Sequence, residues 1–291
     1  MDYIETFSEY LLKEKKYSLH TITSYKKDVL TFISFIEEKK NILLVTSKEV
    51  RQWIVFLHNQ ELNHRSINRK ISSLKAFYKF LYVTHQIESF PMEAIRNLKI
   101  EKKIQLPFSE TEMKALDRND FSKDFNGDRD YLIIVLFYNF GLRKTELIDL
   151  KISDYQSDYL RVLGKGKKER YIPIDDNVKN EIEFYLSQRE KLATSDNMDF
   201  FFVNLGKKLN QTFVYRLINN YFRGITSKEK RSPHILRHSF ASHLVQNGAE
   251  INAVKKLMGH ASLSSTQVYV QNNIEELKKV YKSAHPLFNK K

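Results

Sequence analysis

Apolar residues recur at three- and four-residue spacing through 2–16, 20–38, 47–61 and 65–83, as in Leu74, Phe77, Tyr78 and Leu81. This rhythm predicts four amphipathic helices. Ser18 and Ser47 stand where N-caps are expected. No glycine occurs before Gly127, which suits a compact helical bundle with polar turns. A stretch from Pro91 to Pro107 contains the charged run LKIEKKIQLP, and residues 99–107 have no apolar face. They read as a linker between domains. Beyond it, Ser109 and Glu112 form a capping-box pattern that opens a helix. A further helix is expected over 128–140, and a short one near Gly141. YLRVLGKGKKERYIPI, residues 159–174, alternates on both sides of a Gly/Lys turn and predicts a β-hairpin. Helices are then expected at 176–193, 209–223, 233–247, 250–258, 262–269 and about 273–283. The fold class is mainly α: an all-helical N-terminal bundle followed by a mostly helical domain with a small antiparallel β-sheet.

Composition narrows the function. The chain has 291 residues, enough for two ordinary domains and a sizeable core. There is no apolar run approaching the roughly 18 residues of a membrane span. The opening MDYIETFSEYLLKEKK is acidic and amphipathic, unlike a secretory signal, so a cytoplasmic protein is expected. Cysteine is absent, which excludes disulfides, thiolate metal ligands and a cysteine nucleophile. Lys and Arg number 48 against 35 Asp and Glu, a net charge of +13 that favours a polyanionic partner. Residues 1–103 hold 18 basic and 12 acidic residues, and the remainder 30 and 23. A solvated basic surface would show the same excess; if nucleic acid is the partner, both halves could touch it.

Five places carry candidate chemistry. In GLRKTEL, Arg143 follows Gly141 at a helix start, where a guanidinium can hold a phosphate in two hydrogen bonds. Glu146, one turn later, is placed to orient it; an ordinary surface Arg–Glu pair has the same spacing. In the hairpin turn GKGKKER, glycines flank Lys165. The turn lacks the order of a Walker loop, and taken alone it is also a plain solvated basic turn. HILRHSFASH sets His234 and Arg237 three apart on one helix face. His234 and His238 have zinc spacing, but no Glu lies between them and no Cys exists, so no metal site is expected. His260 in LMGHASLSST and Tyr269 in QVYV complete the set. A phenol titrates near pH 10, so a tyrosine attacking phosphate needs a proton acceptor or cationic surroundings. Its transition state needs positive donors on the equatorial oxygens.

The order Arg in GLR-x-x-E, Lys in a GKG hairpin, H-x-x-R, GH and Tyr resembles the tyrosine recombinase, or phage-integrase-like, family. The resemblance covers nearly the whole chain. SINRKISSLKAFYKFL at 66–81 is similar to the DNA-binding helix of the family's N-terminal domain, and LMGHASLSSTQVYV is its most diagnostic stretch. The compact size and the ending YKSAHPLF resemble the Xer subgroup of chromosome-dimer resolvases. By this resemblance residues 1–98 form a core-DNA-binding domain, 99–107 a linker and 108–291 the catalytic domain with a C-terminal exchange helix. Arg143 and Arg237 would clamp the scissile phosphate. Lys165, singled out from Lys167 and Lys168 by its glycines, would protonate the leaving 5′ oxygen. His234 and His260 would assist by hydrogen bonding and proton transfer, and Tyr269 would form a 3′-phosphotyrosyl link. No metal or nucleotide cofactor is implied.

The implied partners are a double-stranded DNA recombination site and a homo- or hetero-tetramer on two sites, with or without a related recombinase and a DNA-translocase activator. The two domains would close on DNA as a clamp, and residues 273–291 would dock on a neighbouring protomer. The protein would be cytoplasmic and nucleoid-associated, serving chromosome partition in the cell cycle. The alternatives are an integrase or transposase of a mobile element with the same chemistry, a catalytically inactive DNA-binding protein, or a basic structural or RNA-binding helical protein.

Overall fold

The computed structural model describes residues 2–36, 41–101, 105–164, 168–191, 199–259 and 283–286. Its internal contacts divide the chain into two units, Met1–Lys103 and Ile104–Lys291.

The first unit is built on four helices: α1 (Tyr3–Lys13), α2 (Leu19–Ile36), α3 (Ser47–Asn59) and α4 (His64–Val83). Their starts are set by side-chain caps. Asp2 accepts from the backbone N–H groups of Ile4 and Glu5, and Asn63 accepts from that of Ser66. Ser18 accepts from the Thr21 N–H at 3.3 Å, as its position predicts. Ser47 does not cap α3. Thr46 does, because Glu49 reaches back to the Thr46 N–H and completes a capping box, leaving Ser47 as the first helical residue. The core gathers Phe7, Phe32, Trp53, Phe77 and Tyr78, all fully buried, with Phe32 edge-on to Trp53 at 5.0 Å between ring centres. Asn68 exchanges two hydrogen bonds with the Leu98 backbone, at 2.9 and 2.7 Å, and so ties the end of this unit to α4.

Among the described residues of this bundle, one charged side chain is buried. Asp28 on α2 is 1% exposed and accepts from Arg69, Lys70 and Ser73 on α4, at 2.5, 3.1 and 2.9 Å. The α4 face that begins at Arg69 continues with exposed Ser72, Lys75 and Lys79, and Arg65 extends it one turn earlier.

The second unit surrounds a helix whose C-terminal half is buried on every side. The run expected at 128–140 begins three residues earlier, as α6 (Phe125–Phe140), because Asp124 caps it through the Gly127 N–H. From Leu132 to Phe140 every residue of α6 is buried, which explains why its sequence has no polar face. The short α5 (Glu110–Lys114) opens on the expected Ser109–Glu112 capping box. The short helix expected near Gly141 is α7 (Lys144–Asp149), three residues on. The hairpin is present as β2 (Tyr159–Leu163) and β3 (Glu169–Pro173), antiparallel from Tyr159 opposite Pro173 to Leu163 opposite Glu169. Two features were not legible in the pattern: β1 (Tyr155–Gln156) on the edge of that hairpin, and a small ribbon of β4 (Val203–Asn204) with β5 (Lys207–Lys208). Strands of two residues are too short to show alternation. Helices α8 (Asp176–Glu190), α9 (Gln211–Arg223), α10 (Pro233–Gln246) and α11 (Ile251–Leu257) lie where expected, within a few residues at their ends. The helix expected at 262–269 and nearly all of that at 273–283 lie outside the described residues.

Residues 283–286 bear on the expectation that 273–291 docks on a neighbouring protomer. Ala284 and His285 are buried in this chain's own second unit. The His285 ring lies 5.3 Å from that of Tyr138 and 5.9 Å from that of Phe240, and Asn247 donates to the Ala284 carbonyl at 2.9 Å. Residues 283–286 thus pack on α6 and α10 of their own chain, and the rest of 273–291 lies outside the described residues. Burial pushes the His285 pKa down to about 4, so the ring sits there uncharged.

Replacing Asp28 with Ala leaves Lys70, only 12% exposed, without its carboxylate, and Ser73 without its acceptor. Breaking a buried pair from one side costs about 3 kcal/mol or more. Because the chain has a single tryptophan, Trp53 fluorescence during urea unfolding reports this unit directly. A loss below about 1 kcal/mol would place the pair among the weak surface bridges instead.

Candidate active site

The site forms where α6, α7, α10, α11 and the β3 strand of the second unit converge. Helix α6 stops at Gly141, whose φ of +55° turns the chain sharply while its N–H still bonds the Phe137 carbonyl. No side chain fits there, since a Cβ would lie 2.4 Å from Phe240 Cδ1. Leu142 is buried, and Arg143 is extended at the entrance to α7. From inside the first turn of α7, Glu146 accepts from the Arg143 N–H at 2.8 Å and from Arg143 Nη1 at 2.6 Å. The orienting role expected of Glu146 is thus realised twice.

Arg237 arrives from α10, whose start is fixed by Pro233 at the first helical position. Its guanidinium donates to the Gly141 carbonyl and, at 2.5 Å, to the Met258 carbonyl just past α11. It also approaches Glu146 Oε2 at 3.8 Å. Burial, with Arg143 and Arg170 nearby, pushes the Arg237 pKa down to about 10, against the opposing pull of Glu146. It remains a cation at neutral pH.

The sequence reading did not single out Arg170. This β3 residue forks onto Glu146, with Nη1 to Oε1 at 2.9 Å and Nη2 to Oε2 at 2.7 Å. A signal for it exists: Arg170 and Ile172 share a strand face, and Ile172 faces the core with Leu160 opposite. An arginine on an inward face requires a carboxylate partner.

Burial works against ionisation of Glu146, but the bonds and charge of Arg170, followed by those of Arg143, hold its pKa near 2. The site therefore contains three guanidiniums around one carboxylate and keeps a net positive charge at neutral pH. The side chain of Arg143 is 30% exposed, against 10% for Arg170 and 7% for Arg237, so Arg143 is the most open toward an incoming anion.

His234 stands at the start of α10, reaching solvent. Protein packed around its ring disfavours the cation, and Lys144 and Arg237 add repulsion, so its pKa falls below the usual 6.5. Of the residues proposed from sequence, Arg143 and Arg237 are brought together on Glu146, and His234 lies beside them. Lys165, His260 and Tyr269 lie outside the described residues. Among the described residues no group of three His, Cys, Asp or Glu is placed to hold a metal ion, and no helix is long and apolar enough to cross a membrane.

Two family models match the chain: the phage integrase N-terminal SAM-like domain over residues 4–85 and the phage integrase family over residues 108–276. Tyrosine recombinase XerC of Oceanobacillus iheyensis is 35% identical, the match covering 99% of this chain and 97% of that one. Tyrosine recombinase XerC of Staphylococcus epidermidis is also 35% identical, over 98% of each. Among solved structures, the XerH site-specific recombinase bound to a palindromic difH substrate, a post-cleavage complex, matches with a TM-score of 0.70 at 19% identity, covering 96% of this chain and 84% of that one. The Tn1549 transposon integrase in complex with circular intermediate DNA matches at 0.67 and 16%, over 95% and 98%. At these identities the structures speak for the fold. With both halves matched and relatives above 30% identity along its length, this chain belongs to the phage integrase, or tyrosine recombinase, family.

Proposed function

We propose that this chain is a site-specific DNA recombinase of the Xer type, which cleaves and rejoins DNA through a 3′-phosphotyrosyl link at Tyr269. The observation that carries the reading is the arginine cluster on Glu146, a preorganised site for a phosphodiester with more cation than its own carboxylate neutralises. Arg143 and Arg237 engage the non-bridging oxygens of the scissile phosphate. The Tyr269 oxygen attacks phosphorus and the bond to the 5′ oxygen breaks. Lys165 supplies the proton to that leaving oxygen, while the tyrosine proton passes to the histidine side of the site. His234, uncharged at neutral pH, suits that task, and His260 adds a hydrogen bond at the phosphate. The 5′ hydroxyl of a partner strand then reverses the attack. One phosphoester replaces another at each step, so no nucleotide cofactor is drawn upon, and the arginines supply the positive charge that a metal ion would otherwise bring. Lys165, His260 and Tyr269 enter by their place in the family's motif order.

Residues 1–98 are assigned to DNA binding, 99–107 to the linker and 108–291 to catalysis. The basic face of α4 and the positive balance of both halves support contact of each with duplex DNA. The near full-length similarity to XerC proteins supports chromosome-dimer resolution over a mobile-element role. Four protomers would act on two DNA sites in the cytoplasm at the nucleoid, alone or with a related recombinase and a translocase activator.

The reading is tested with a nicked suicide DNA duplex. The wild-type chain should become covalently joined to a 3′ phosphate in the presence of chelator, and Tyr269→Phe should not; an adduct in the mutant, or one requiring a divalent metal, overturns it. Arg143→Ala and Arg237→Ala should each slow adduct formation by about 100-fold or more, as for loss of a transition-state donor. Gly141→Ala forces a side chain against Phe240 and displaces a carbonyl that holds Arg237, so both the melting temperature and the cleavage rate should drop. The neutral form of His234 is the competent one. The rate should therefore fall as pH is lowered through a value below 6.5, and His234→Gln should abolish that limb of the profile.

A further inference from the structure

We propose that Arg170 is a positioning residue of the recombination site, which fixes the plane of the Glu146 carboxylate and through it the approach of Arg143 and Arg237 to the phosphate. This rests on the function proposed above.

Arg170 spends one N–H of each terminal nitrogen on Glu146, and its side chain is 10% exposed. Its Nε is buried with no hydrogen-bond partner among the described residues. Glu146 is the carboxylate it serves, and the two-point contact is what sets the orientation of that group. Oε1 then faces Arg143 Nη1, and Oε2 faces both the Arg143 N–H and Arg237. Without the fork, Glu146 could rotate about its last bond and release Arg143 to solvent.

Arg170 also lies at the roots of two neighbouring segments. A Cβ on Gly259, whose φ is +67°, would come within 3.3 Å of Arg170 Cδ and Nη1, so the glycine backbone rests directly on the guanidinium. On the hairpin side, a Cβ on Gly164 would lie 3.9 Å from Glu146 Oε1, and the Gly164 N–H closes the turn on the Lys168 carbonyl at 2.7 Å. Gly164 and Gly259 directly precede Lys165 and His260 in sequence. One ion pair thus braces β3, the entrance to α7 and the end of α11 at once.

The test compares Arg170→Lys and Arg170→Met with wild type on the nicked suicide duplex, with DNA affinity and melting temperature measured in parallel. Arg170→Lys keeps the charge and loses the fork. Its cleavage rate should fall at least tenfold while its DNA dissociation constant stays within about threefold, because binding draws on contacts across the chain. In Arg170→Met the acid limb of the pH–rate profile should move to higher pH, since Glu146 stays buried but loses its strongest counter-charge. Among the described residues, the charged groups facing Glu146 are Arg143 at the start of its own helix, Arg170 from β3 and Arg237 from α10, while Met258 and Gly259 at the end of α11 carry none. The double variant Glu146→Gln/Arg170→Met cannot titrate there and should lose the shift, leaving only the limb of His234. A wild-type rate in Arg170→Lys overturns the inference. So does a slowed Arg170→Met with an unmoved pH profile and a lowered melting temperature, which marks a structural role. If wild type itself forms no adduct, the function proposed above fails and takes this inference with it. An adduct in wild type with an unaffected Arg170→Lys removes the inference alone.

Discussion

The site depends on one constraint: a single buried carboxylate, Glu146, must stay ionised inside the protein. A carboxylate taken out of water is stable only if its oxygens are fully engaged. Here they accept from Arg143 and Arg170, with Arg237 close by. The carboxyl is held near pKa 2, below the 4.5 of an unfolded glutamate, so its contribution to stability is complete above the ordinary value and is lost only as pH falls toward 2. Throughout the physiological range the carboxylate is a fixed anion. The arginines can therefore be crowded together before any phosphate arrives, which is the preorganisation a developing phosphorane charge requires.

Helix polarity supplies the rest of the geometry. Glu146 sits in the first turn of α7, where backbone N–H groups favour an anion. Arg237 donates to the carbonyls of Gly141 and Met258, which follow the last turns of α6 and α11, where a cation is favoured. The positive φ of Gly141 lets a helix end and the following helix start come so close together. A guanidinium held by two helix ends is fixed by the fold of the whole unit rather than by one neighbouring side chain. That explains how so short a motif as GLRKTEL organises residues contributed from nearly a hundred positions away.

Much of this was legible in the sequence, for physical reasons. Long helices advertise themselves by period, and α2, α4, α8, α9 and α10 lie close to where their apolar spacing put them. Arg143 and Glu146 could be paired because three-residue spacing on a helix start leaves little choice of partner. Arg237 could be named, but its acceptors are backbone carbonyls, which no sequence pattern marks. Arg170 is hard to single out in a hairpin so rich in Lys and Arg, although its strand register places it inward beside Ile172. Thr46 won the cap of α3 from Ser47 through Glu49, three residues on, a competition that the serine alone does not reveal. The docking of His285 was invisible because it depends on a cavity built from two distant helices, α6 and α10.

The two units solve one problem in the same way. In the first, Asp28 is buried on α2 and holds Arg69 and Lys70 of α4. In the second, Glu146 holds Arg143 and Arg170 and draws in Arg237. In each case one acid serves two or more bases, so a local excess of positive charge is left. Folding stability alone would favour balanced pairs, because unneutralised cations repel one another and are costly to bury. The depressed pKa of Arg237 registers that cost, in which burial is joined by repulsion from Arg143 and Arg170. In the second unit an anion from outside would relieve that cost. A net charge of +13 spread over both halves suits the chain to a phosphodiester backbone.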